Sequence, residues 1–146
     1  MKREAEFLTD PRFEDIATGK EPQRLKLLGD LIFYSSVLDE TFIVHDGYVF
    51  SESIPFIFWS IQRPMAVTRR GAAAHDHAYE FGGLFRLSDN ILVPVTRSQA
   101  DAVYRELVLA KGASKPLSLT RWAILRVAGW RAWAKNRKHH PLPTNA

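Results

Sequence analysis

At 146 residues, 46% of them hydrophobic, the chain is long enough for one domain with a substantial core and too short for two ordinary ones. The absence of cysteine excludes a disulfide framework and a thiolate zinc site, so any metal would need histidine and carboxylate ligands. The net charge of +4 divides unevenly: residues 1–60 hold 6 Lys/Arg against 11 Asp/Glu (net −5), and residues 61–146 hold 14 against 5 (net +9).

The charged N-terminus, Met1-Lys2-Arg3-Glu4-Ala5-Glu6, leads into no apolar run of signal-peptide length, and no window reaches the roughly 18 apolar residues of a membrane span. Cytoplasmic synthesis is therefore expected. Residues 1–23, with Pro11, Gly19 and scattered charges, read as an irregular N-terminal arm. From Arg24 the pattern changes. Arg24-Leu25-Lys26-Leu27 alternates, Asp30-Leu31-Ile32-Phe33-Tyr34 is apolar and aromatic, and Thr41-Phe42-Ile43-Val44 follows a polar turn, which predicts a small antiparallel meander over about residues 24–50. His45-Asp46-Gly47 supplies turn chemistry before Tyr48-Val49-Phe50, and Ser51 to Pro55 breaks regular structure.

The second half reads as helical. Phe56 to Ile61 is a short apolar segment stopped by Pro64, and a helix opens near Thr68 and ends at Gly82-Gly83. Leu84 to Val95 is a loop or a two-stranded excursion turning at Ser88-Asp89-Asn90. Thr96 is a good N-cap for a helix reaching Lys111, with Gly112 as its stop. A last helix, capped by Ser118 or Thr120, runs to about Arg137, and residues 139–146 read as a disordered tail. The expected fold is α+β: a small antiparallel sheet and then three main helices in one domain over residues 24–138.

The last helix mixes Trp122, Trp130 and Trp133 with Arg121, Arg126, Arg131, Lys135, Arg137 and Lys138, and the basic residues do not share one face. Three readings stay open: a core helix whose arginines snorkel or pair with the acidic N-terminal half, an interfacial membrane contact, and a nucleic-acid contact.

The chemistry concentrates in Ala72-Ala73-Ala74-His75-Asp76-His77-Ala78-Tyr79 and Gln99-Ala100-Asp101-Ala102-Val103-Tyr104. His75 and Tyr79 are four apart and share a helix face, while Asp76 is turned by about 100°. The alanines allow another element close, and Asp101 of the following helix is placed to meet His75 or Tyr79, with Tyr104 and Leu107 as apolar contacts. A carboxylate on one imidazole nitrogen fixes the tautomer and frees the other nitrogen to take a proton from water. Asp76 could serve a hard cation such as Ca²⁺. The same cluster can equally be a satisfied polar network that fixes helix register. His77, on the opposite side, is expected at the surface or behind the site, and His139-His140 is a terminal pair without fixed partners.

In combination, Ile43-Val44-x-x-Gly47-Tyr48, Ser53-Ile54-Pro55, His75-Asp76-x-x-Tyr79, Ala100-Asp101-x-x-Tyr104 and Val127-Ala128-Gly129-Trp130 resemble a family of small phage and prophage proteins known as a domain of unknown function. The resemblance covers roughly residues 24–131. It implies a virion, tail-tip or accessory role among other phage structural proteins: a structural or assembly component made in the bacterial host cytoplasm and carried in the virion.

The two-helix motif is also similar to the catalytic helices of secreted and parvoviral phospholipases A2. That likeness implies a competing role, a metal-assisted hydrolase of an envelope component such as membrane phospholipid. His75 would be the base, Asp76 a Ca²⁺ ligand, and Tyr79 with Asp101 the groups orienting His75. The only candidate for the calcium-binding carbonyl loop is Asp46-Gly47-Tyr48-Val49, which lacks a second glycine. The phage family's Thr-Asp before Ser-Ile-Pro is replaced around Phe50-Ser51-Glu52, which leaves Glu52 as the substitute carboxylate. Nucleic-acid binding by the basic half is a third reading.

Overall fold

The computed structural model describes residues 2–16, 24–51 and 69–141. The chain builds an α+β fold in which strands β1 (Glu6–Phe7), β2 (Arg12–Ile16), β3 (Arg24–Leu28), β4 (Leu31–Ser35), β5 (Glu40–Val44) and β6 (Val49–Ser51) precede most of the helical mass. Helix α1 (Arg69–Phe81), the hairpin β7 (Gly83–Arg86) and β8 (Leu92–Pro94), and helices α2 (Arg97–Ala110), α3 (Lys115–Ala128) and α4 (Trp130–His139) follow.

The expected single meander is two antiparallel sheets, ordered β1-β4-β5-β7-β8 and β2-β3-β6. Only Gly29 and Asp30 separate β3 from β4. Gly29 has φ +116°, a conformation open to glycine, and there the chain leaves one sheet for the other. Asp46 closes this corner by accepting the Gly29 N–H at 2.9 Å. Strand β3 instead pairs with β2 and β6, and its alternation buries Leu25 and Leu27. The first sixteen residues are thus not irregular throughout: β1 pairs with β4 and β2 with β3. Composition hid this, because Glu6, Arg12, Glu14 and Asp15 carry charge on largely exposed edge strands.

The core joins Leu25, Leu27, Leu31, Phe33, Phe42, Val44 and Leu84 from the sheets to Ala73, Ala74, Ala78, Val103 and Leu107 from α1 and α2. Small residues let these helices approach closely, and a Cβ at Gly71 would lie 2.9 Å from Val108 Cγ1. Helix α2 starts as its sequence predicts. The Thr96 side chain accepts the Gln99 N–H at 3.1 Å, and Gln99 Oε1 accepts the Thr96 N–H at 2.9 Å, a reciprocal capping box. Gly112, at φ +104°, follows its end.

The last helix differs from expectation at its start and in its continuity. It opens at Lys115 with Ser114 as cap, because a proline in the first helical turn costs no hydrogen bond. Ser118 and Thr120 are interior and donate back to the Lys115 and Pro116 carbonyls. The segment then divides at Gly129 into α3 and α4, where Arg97 donates to the Leu125 and Arg126 carbonyls. Helical carbonyls taken by an inserted side chain are a recognised cause of such a break. The Phe56–Ile61 segment and residues 142–146 lie outside the described residues.

Candidate functional site

Helices α1 and α2 bring the predicted residues together. Asp101 is completely buried, and its Oδ1 accepts from His75 Nε2 at 2.9 Å and from the Tyr79 hydroxyl at 2.6 Å. Its Oδ2 accepts from Arg126 Nη1 at 2.9 Å. The carboxylate therefore ties α1, α2 and α3 together. Because an ionised carboxylate only accepts, His75 carries a proton on Nε2, and in the neutral ring the lone pair sits on Nδ1. That nitrogen lies 3.9 Å from Asp76 Oδ1.

Burial opposes charging of His75, but hydrogen bonding to Asp101 and to Asp76 and the charges of both carboxylates outweigh it and raise its pKa above the ordinary 6.5. Burial likewise opposes ionisation of Asp101, and the bonds from His75, Tyr79 and Arg126 overcome it, holding the carboxyl below its ordinary 3.8. Burial and the Asp101 bond both raise the Tyr79 pKa, so it remains a phenol donor. The His75 ring packs against Tyr79 (centroids 4.1 Å) and Tyr104 (5.4 Å).

Asp76 and Tyr79 open onto a cleft of about 610 Å³ between α1, the β3–β6 edge and α4. Arg24, Tyr48, Glu80 and Lys135 also line it. His75, packed against Tyr79 and 6% exposed, does not itself line the cleft. Two contacts fix α4 as a wall: Arg137 donates to the Tyr79 and Glu80 carbonyls, and the Trp133 ring meets Tyr79 edge-on at 5.3 Å. Gly129 completes the seat. A Cβ there would lie 2.5 Å from the Tyr79 hydroxyl.

His77 is not a surface group. It is 3% exposed, donates from Nδ1 to the Gly83 carbonyl at 3.1 Å, and packs among Tyr48, Phe81 and Phe85. Burial lowers its pKa to about 4, so it is neutral structure. Arg121 donates to the Tyr104 hydroxyl at 3.1 Å and Arg126 to Asp101, so Tyr104 is polar-bonded as well as packed. Sequence reasoning missed Arg126. Its signal was the unfilled second oxygen of a buried Asp101, which a cation on a neighbouring helix satisfies.

Asp76 offers one carboxylate to a cation. Glu80, in the same cleft, accepts from the Tyr48 hydroxyl at 2.8 Å, and among the described residues no group of three His, Asp or Glu side chains could hold a metal ion. The Asp46–Val49 segment forms the turn into β6, where the Tyr48 carbonyl accepts the Leu27 N–H at 2.9 Å, and Glu52 lies outside the described residues. These residues do not by themselves make up a calcium site.

Fold and site thus define a two-sheet α+β protein whose helices enclose a His-Asp-Tyr-Arg network beside an open cleft. The chain belongs to the family described as "Protein of unknown function (DUF1353)", whose model matches residues 25–125. No curated protein and no solved structure matches it. Among the described residues no helix is long and apolar enough to cross a membrane.

Proposed function

We propose that the chain is a hydrolase, with His75 as general base, acting on an ester of a bacterial envelope component such as phospholipid, in a phage or prophage setting. The observation that carries this reading is the His75 geometry. Its Nε2 is held by a buried carboxylate, and its Nδ1 lies 3.9 Å from Asp76 at the cleft. In this reading the attacking water is held at Nδ1 on the side of the ring that faces Asp76. Nδ1 takes its proton as the water oxygen attacks the ester carbonyl, and Asp101 stabilises the imidazolium that forms. The proton then passes from Nδ1 to the departing alkoxide. Likeness of the two helices to phospholipases A2 supports the choice of substrate. Incubation with labelled phospholipid, with Ca²⁺ or with chelator, is expected to release fatty acid. Absence of release, or equal release by His75→Ala, removes the proposal.

A second reading has its own observation. Both oxygens of Asp101 are bonded within the fold, as a node that only fixes helix register requires. Such a protein would be a structural or assembly component of the virion tail, supported by the phage-family likeness. Mass spectrometry of purified virions is expected to detect it among the tail proteins, and its absence there dismisses this reading.

A further inference from the structure

Helices α3 and α4 carry an exposed outward face that no other described element covers. Leu119, Val127 and Trp130 are 48%, 77% and 54% exposed, three of the large hydrophobic side chains that folding leaves in water. Gly129, between the two helices, keeps right-handed helical dihedrals (φ −77°, ψ −14°), so Val127 and Trp130 stay near one face across the junction although the helical bonding is interrupted there. At about 100° per residue, positions 119, 127 and 130 fall within one quadrant, with Lys138 and Arg131 at its border. The Arg131 guanidinium lies 5.1 Å from the Trp130 ring centre.

Charge gives this face a direction. After Glu106 the chain has 8 Lys/Arg and no Asp or Glu. Arg121, Arg126 and Arg137 are engaged with internal partners, whereas Lys115, Arg131, Lys135 and Lys138 are exposed. Exposed apolar groups at the centre, a tryptophan, and cations at the border match the interface of an anionic bilayer, which takes apolar groups below the headgroups and cations among them. Nucleic acid would use the cations and leave Leu119 and Val127 in water. We propose that the outer face of α3–α4 docks on an anionic lipid surface. Lys135 and His139, which line the cleft, lie about 120° or more round α4 from the centre of this face, so docking leaves the cleft mouth open to solvent. Docking needs no turnover, so it goes beyond the hydrolase reading and stands or falls separately.

The test is co-sedimentation of the full chain with phosphatidylcholine vesicles, with and without phosphatidylglycerol. Binding is expected only with the anionic lipid and is expected to weaken with salt. Trp130→Ala should weaken it about tenfold through lost apolar burial, and Lys138→Glu about fivefold or more through lost attraction. Both positions are exposed, so both variants are expected to keep wild-type circular dichroism. No binding to anionic vesicles, or binding that both variants leave unchanged, overturns the proposal. So does retention on nucleic acid but not on vesicles. Vesicle binding without fatty-acid release would count against the reaction alone, and release from dispersed lipid without vesicle binding against the docking face alone.

Discussion

Replacing Asp101 with alanine is expected to cost about 3–5 kcal/mol, a large share of the 5–15 kcal/mol typical of a domain. The loss is large because three donors from three positions converge on this carboxylate: His75 and Tyr79 of α1 and Arg126 of α3. Removing the acceptor leaves buried donors without partners, which costs more than their hydrogen bonds contribute. Asp101→Asn keeps the volume and one acceptor and should fall between wild type and alanine. The measurement is the urea midpoint at constant m-value. An alanine variant within about 1 kcal/mol of wild type would show that the network does not hold the helices.

The same pair sets a pH window for stability. Asp101 titrates below its ordinary 3.8, so its contribution is present above that value and fades as pH falls through the lower folded pKa. His75 titrates above its ordinary 6.5, so its contribution is complete below 6.5 and fades as pH rises through the higher folded pKa. Both contributions are full between about pH 4 and 6.5, where the melting temperature should peak. Asp101→Asn should flatten the alkaline decline.

Hydrolysis is expected to show the opposite preference, because a general base must be neutral. The kcat/KM profile should rise with pH through an acid limb above 6.5, set by His75, and His75→Gln should lower the rate by about 10²–10⁴-fold. The charges facing the ring fix the direction of further shifts. Asp101 and Asp76 favour the imidazolium, and Arg126 offsets Asp101. Arg126→Gln should therefore move the limb to higher pH, and Asp76→Asn should move it lower. Imidazole resonances followed by NMR report the same titration without turnover. A His75 pKa below 6.5 in the free protein, or a limb that neither substitution moves, contradicts this account.

How much of this was legible from residues alone depends on the range of the interaction. The strand segments at Arg24–Leu28, Leu31–Ser35 and Glu40–Val44, the Thr96 cap and the glycine stops follow from local periodicity and dihedral preference. The meeting of His75, Tyr79 and Asp101 was legible because helix spacing and an alanine-rich face constrain which side chains approach. His77 was misplaced because its burial comes from Tyr48, in the turn before β6 and distant in sequence from α1, and from Phe85, on the strand that folds back against α1 directly after it. The pairing of β1 and β2 depends on β4 and β3, and no pattern inside Glu6–Ile16 records it.

The sequence by itself determined an α+β chain with a polar pair of helices and a basic C-terminal half, since composition and periodicity act within a few residues. Only the tertiary structure decided that the chain corners into two sheets at Gly29. It also decided that Arg126 fills the second oxygen of Asp101, and that α4 walls the cleft lined by Asp76 and Tyr79. Each of these is a contact between segments far apart in the chain. A buried charge must find a partner, but which distant side chain supplies it is set by packing and not by spacing.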